Sequence, residues 1–175
     1  MLVEEAQRLK KKDFAAWQVQ SASIRAQHGV PKSLAAWTGR ANLQLLGVPA
    51  SPRVLNLLDT LWAVRVHKSP SHVTAAMLRD GFWCDVSQAH NRQSPMSCGP
   101  PTWTSTTAAY SFSEDRVVSG KGAMRVLGHP NDRMSGDLFS EAQLKDLAGQ
   151  GCSVLCCALI ASLMYSNPYG EWWMP

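Results

Sequence analysis

The chain has 175 residues, 45% of them hydrophobic and 17% charged, with a formal net charge of +4; this balance excludes a disordered polyelectrolyte and fits one ordinary domain with a buried core. Five cysteines (Cys84, Cys98, Cys152, Cys156 and Cys157) show no paired Cys-x-x-Cys or Cys/His spacing, so no zinc site is expected. The opening Met-Leu-Val-Glu-Glu-Ala has neither the basic nor the apolar region of a secretory signal, so free thiols in a nuclear or cytoplasmic compartment are expected.

Leu2, Ala6, Leu9, Ala16 and Trp17 share one helical stripe, which predicts an amphipathic helix to about Gln20. Lys10, Lys11 and Lys12 read as its solvated edge, with phosphate binding as the sharper alternative. From Ser21 to Pro52, Gly29, Pro31, Gly39, Gly47, Pro49 and Pro52 interrupt any long period and predict loop with one short helix. Val54, Leu55, Leu57, Leu58, Leu61 and Trp62 set a helix over 53–66. Ser69-Pro70-Ser71 offers an N-cap for a short helix over 73–78, stopped at Gly81. Strands are predicted at 82–86, 101–104 and 108–112, where β-branched and aromatic residues gather, with a Pro- and Gly-rich loop over 93–101.

Ser119 then caps a helix over 120–127, which Gly128 ends in the left-handed position with Pro130 beyond. Ser140 and Gln143 form a capping box for a helix terminated by Gly149. A Gly149-Gln150-Gly151 turn leads to the apolar stretch 152–165, read as a buried helix because a bilayer span needs about 20 residues. Seven Trp residues are expected mainly in the core.

The order of these pieces resembles the C-terminal portion of cytosine-C5 DNA methyltransferases. Arg116 to Pro130 reads RVVSGKGAMRVLGHP, with Arg116, Arg125, Gly128 and Pro130 at the spacing of that family's Arg-led helix motif and His129 in its aromatic slot. Gly149-Gln150-Gly151-Cys152 stands where the family has a turn that contacts S-adenosylmethionine. Thr102-Trp103 stands where a threonine grips the phosphate of the flipped nucleotide, with Thr104 and Thr106 beside it. The resemblance covers about 75 residues, from 100 to 175. It implies an α+β partial domain with a few-stranded antiparallel recognition sheet, and helices that complete an S-adenosylmethionine-dependent α/β domain. Its parts are an unassigned helical segment (1–68), recognition-like strands and loops (69–118) and methyltransferase-like C-terminal helices (119–175). DNA-binding residues are then Thr102, Thr104 and Arg116, and cofactor-binding residues Gly149, Gln150, Gly151 and Cys152.

Three departures bear on function. The family's glutamate in the Arg-led helix is Gly122, leaving Glu114 or Asp115 to serve Arg116, and the asparagine of the cofactor turn is Gln150. No cysteine follows a proline and no Glu-Asn-Val or Phe-x-Gly-x-Gly segment occurs, so no catalytic residue is assigned; a truncated gene product and a half that assembles with a separate catalytic chain both fit. Cys98 is the one loop cysteine weighed as a nucleophile. Two other readings stay open: a non-enzymatic nucleic-acid-binding module, and an interaction protein in which 152–165 is a tail anchor or partner helix.

Overall fold

The computed structural model describes residues 16–31, 33–96, 98–129, 139–151, 157–158 and 161–162. They form a mixed α+β architecture of helices and one three-stranded antiparallel sheet. The chain divides into two units, the first built from residues 1–101 and 108–117, the second from 102–107 and 118–175.

In the first unit, residues 16–27 are helical (α1), so this helix runs past Gln20 into the stretch predicted as loop. Its stop is Gly29 at φ +68: Gly29 N donates to Ala26 O and Val30 N to Arg25 O, the paired bonds of a Schellman motif. The glycine and proline read as loop punctuation are thus the end of a helix. Helix α2, Pro52–Lys68, starts on a proline in its first turn and buries every residue from Thr60 to Arg65, which makes it the central element of this unit. Ser21 Oγ meets Thr60 Oγ1 at 2.7 Å, and the ideal Cβ position of Gly29 lies 3.9 Å from His67 Nε2. Contact advances along both helices in the same sense, so α1 and α2 lie parallel.

Helix α3, Ala75–Arg79, is capped by Thr74, whose side chain accepts from Met77 N, rather than by Ser69. Because α2 continues to Lys68, Ser69 closes that helix, donating its hydroxyl to Arg65 O at 2.7 Å. Strands β1 (Trp83–Asp85), β2 (Ala109–Ser111) and β3 (Arg116–Val117) form the sheet in that order, in the register Cys84↔Tyr110 and Tyr110↔Val117. Between β1 and β2 a single 3₁₀ turn spans His90–Arg92. The core joins α2 to the sheet through aromatic rings: Phe112 stacks on Phe82 at 4.2 Å, and Trp37 meets Phe112 at 4.9 Å and Trp62 at 4.8 Å. Trp37 Nε1 donates to Tyr110 OH at 2.9 Å, and Tyr110 OH donates to Asp115 Oδ1 at 2.5 Å, so the polar tips of two buried rings are satisfied. Of the five Trp among the described residues, Trp37 and Trp62 sit in the core while Trp17, Trp83 and Trp103 are half-buried, fewer in the core than expected.

The second unit contains α4 (Gly120–Val126) and α5 (Glu141–Gln150). Ser119 caps α4, accepting from Gly122 N. Gly128 at φ +89 ends it, with His129 N donating to Met124 O and Gly128 N to Arg125 O, the expected left-handed stop. The Ser140–Gln143 capping box of α5 is formed in both directions. Glycine at 120 permits the closest approach of the pair, since a Cβ there would stand 2.7 Å from Leu144 Cβ and 2.8 Å from Glu141 O. At the other end a Cβ on Gly151 would lie 3.8 Å from Leu127 Cδ1, so α4 and α5 also lie side by side in parallel. Ala123, Met124, Leu127, Leu144 and Ala148 are buried in this unit. Helix α5 does not stop at Gly149; it continues to Gln150 with Gly151 as C-cap. Of the apolar stretch 152–165, only 157–158 and 161–162 are described; they are helical and exposed, and the rest of that prediction lies outside the described residues. Among the described residues no helix is long and apolar enough to cross a membrane.

Candidate functional site

Residues 101–104 are not a strand. Residues 102–107 form a compact turn in the second unit, because Thr107, predicted to sit between strands, turns its hydroxyl back into the loop. Thr107 is buried, its N donates to Thr104 O at 3.0 Å, and its Oγ1 donates to Thr102 O at 3.2 Å. A carbonyl only accepts and a hydroxyl has one proton, so the 2.9 Å contact between Thr104 Oγ1 and Thr107 Oγ1 is donated by Thr104. The 3.2 Å contact between Thr104 Oγ1 and Thr106 Oγ1 is then donated by Thr106. The hydroxyl protons form a one-way chain that ends on the backbone. Thr104 and Thr106 therefore point their donors inward, whereas exposed Thr102 has no side-chain hydrogen bond among the described residues. Its hydroxyl is free to donate outward. Beside it, Trp103 Nε1 is buried without an acceptor.

The turn rests on α5. A Cβ at Gly149 would collide with the backbone of Thr104 and Ser105, the Ser105 Cα lying 2.8 Å away. This close approach accounts for a glycine inside a helix, where it costs about 1 kcal/mol relative to alanine. Gly151 N is bonded to Leu147 O at 2.8 Å, so Gly149, Gln150 and Gly151 are helix and cap rather than a free turn. What faces outward is side chain: Gln150 lines an open groove of about 260 Å³ with Phe139, Gln143, Asp146 and Leu147. Cys152 lies outside the described residues.

Arg116 sits in β3 of the first unit, exposed, with Glu114 as partner: Nε donates to Oε2 at 2.7 Å and Nη2 stands 2.6 Å from it. Asp115, at φ +53, accepts instead from Tyr110 OH and from the backbone of Gln44 and Leu45. Of the two carboxylates proposed for Arg116, Glu114 takes the role. At the start of α4, Glu141 accepts from Gly120 N, the first amide of the helix.

Cys98 is exposed, and its sulfur accepts from Arg65 Nη2 at 3.4 Å. Arg65, itself donating to Leu78 O and lying over Phe82, is a permanent cation and takes no proton; nothing in this contact makes Cys98 a nucleophile with a base. Sequence reasoning did not single out His90. It is fully buried, its Nε2 stands 3.2 Å from Asn56 Oδ1, its Nδ1 has no partner, and Trp17 stacks on it at 6.1 Å. Burial, then the Arg53 charge, lowers its pKa to about 4, so it stays neutral at ordinary pH. Its neighbours in sequence give no sign of this.

No protein-family model, no curated protein and no solved structure matches the chain. Its function has to be read from its own residues.

Proposed function

We propose that this chain supplies the DNA-facing and cofactor-facing edge of a cytosine-C5 DNA methyltransferase, and that methyl transfer needs a catalytic segment outside these 175 residues. One observation carries the reading. The two stretches that the resemblance assigns to DNA and to S-adenosylmethionine, Thr102–Thr106 and Gly149–Cys152, meet backbone to backbone at Thr104, Ser105 and Gly149. Thr102 keeps a free hydroxyl for a backbone phosphate, a contact that positions nucleic acid without reading its sequence. Glu114 pairs with Arg116, as the glutamate that Gly122 replaces would in the family.

The groove beside Gln150 suits the cofactor's chemistry. The C-terminal end of a helix carries negative partial charge, Asp146 adds a carboxylate, and Phe139 and Leu147 add apolar surface. S-adenosylmethionine has a flat adenine ring, which Phe139 and Leu147 would cover, and sulfonium and ammonium cations, which Asp146 and the helix end would attract beside Gln150. When bound, that cofactor supplies the methyl group. A nuclear or cytoplasmic location goes with this role.

Anisotropy with a labelled duplex and calorimetry with S-adenosylmethionine, both on the full chain, test the proposal. We expect duplex affinity that weakens as salt rises and drops on Thr102→Val, cofactor heat that disappears in Asp146→Ala, and no methyl transfer until a catalytic partner is added. Duplex binding without cofactor heat would favour the non-enzymatic nucleic-acid module. A chain that binds neither ligand, or methylates DNA unaided, overturns the proposal.

A further inference from the structure

Acidic residues are nearly missing from one long stretch of the first unit. Between residues 14 and 79 the sequence holds seven Lys and Arg and a single acid, Asp59, a formal +6 where the whole chain carries +4. A surface that needs only solvation intersperses both signs. Here Asp59 is committed to Thr38, accepting from its N at 2.8 Å and its Oγ1 at 3.0 Å. Arg116–Glu114 and Lys145–Glu141 pair outside the stretch. Even Arg40, whose guanidinium lies 4.6 Å from the Trp37 ring centre, holds a buried Nη1 with no acceptor.

The parallel packing of α1 and α2 concentrates part of this charge, because both helices end at the same side of the unit. Arg25 and His28 come from the close of α1, His67 and Lys68 from the close of α2; the first two are half-buried and the last two exposed. Cations at helix C-termini ordinarily answer the helix dipole, but two termini offer only about one negative charge between them. Arg25 and Lys68 already exceed that. Every exposed large apolar side chain among the described residues lies outside 20–31 and 60–73, so this end lacks the apolar face with which a membrane-surface helix inserts.

We propose that the joint C-terminal end of α1 and α2 is a contact surface for the phosphates of a nucleic-acid duplex. The inference rests on the DNA reading above but uses different residues. Each cation withdrawn from a phosphate lowers the slope of log affinity against log salt by about 0.9, so the full chain carrying Arg25→Gln and Lys68→Gln is expected to lose up to about 1.8 from that slope, equally for duplexes of different sequence. Arg92→Gln with Lys145→Gln removes the same charge elsewhere and is expected to leave the slope unchanged; thermal melts confirm that both doubles fold. Equal slopes in wild type and the Arg25/Lys68 double overturn the inference, while a surviving Thr102→Val effect then leaves the function reading standing. A slope loss in the Arg25/Lys68 double without any Thr102→Val effect supports this surface and removes the turn from the interface. Equal losses in both doubles, wild-type binding to anionic vesicles in place of duplex, or no salt-dependent duplex binding by wild type would each overturn it.

Discussion

Glu141, in the first turn of α5, accepts the backbone N–H of Gly120, the first residue of α4. Gly120 is buried, so removing the acceptor leaves a buried donor unmet, at about 1–3 kcal/mol. Glu141→Ala should lower the urea-unfolding free energy by that amount, and Glu141→Gln, which keeps an acceptor, by less than half as much. Equal losses from the two substitutions would show that the hydrogen bond is not what matters.

Gly149→Ala separates two opposed effects by sign. Helix propensity alone predicts a gain of about 1 kcal/mol, whereas the backbone of Thr104 and Ser105 leaves no room for a methyl group. Loss of stability, together with weakened duplex binding, is expected; a higher melting temperature would contradict the close packing.

Acid should destabilise the first unit through His90. Its pKa in the folded chain is about 4 against an ordinary 6.5, so the unfolded chain binds the extra proton first as pH falls. The stabilising effect of keeping this ring neutral is fully present above pH 6.5 and drains away toward pH 4, by up to about 3 kcal/mol. Urea titrations at several pH values should give a flatter profile between 6.5 and 4 for His90→Gln than for wild type. Parallel profiles would dismiss the ring as the source.

Thr102 and Thr104 should respond differently to the same change. Thr104→Val breaks the proton chain to Thr107 and takes one donor from the buried Thr107 oxygen, so a stability loss of about 1 kcal/mol is expected. Thr102→Val should leave the melt unchanged and weaken only duplex binding. If Thr104→Val melts like wild type, the direction assigned to the chain is wrong.

Much of the local punctuation was legible because its chemistry is local. Ser119, Gly128 and the Ser140–Gln143 pair end or begin helices through bonds to residues within a turn, and the apolar spacing of α2 announces a helix whatever it packs on. Gly29 carried the same kind of signal, but among nearby prolines and glycines it read as loop. What the sequence hid is nonlocal. Nothing near Gly149 says that Thr104 lies against it, and nothing near Gly120 says that Glu141 will take its N–H. Thr102 to Thr106 alternates as a strand does, yet one buried hydroxyl, Thr107, folds it into a turn. Of the proposed site residues, Thr102 and Thr104, read as strand, are found in a turn; Gly149 to Gly151, read as a turn, are helix and cap; and Arg116, read as leading a helix, lies in strand β3.

The seat of Gly149 on Thr104 and Ser105 has a topological consequence. The turn it holds is the middle of a connection whose two ends, β1 and β2, belong to the other unit, so no single cut in the chain separates the two. A truncation after Val117 would keep all three described strands and still strip the 102–107 turn of its support, while the C-terminal helices expressed alone would lack the segment that Gly149 fits. During folding the contact must wait for a loop of 45 positions (149 against 104) to close, a shorter closure than the 73 positions that separate Trp37 from Tyr110 in the first unit.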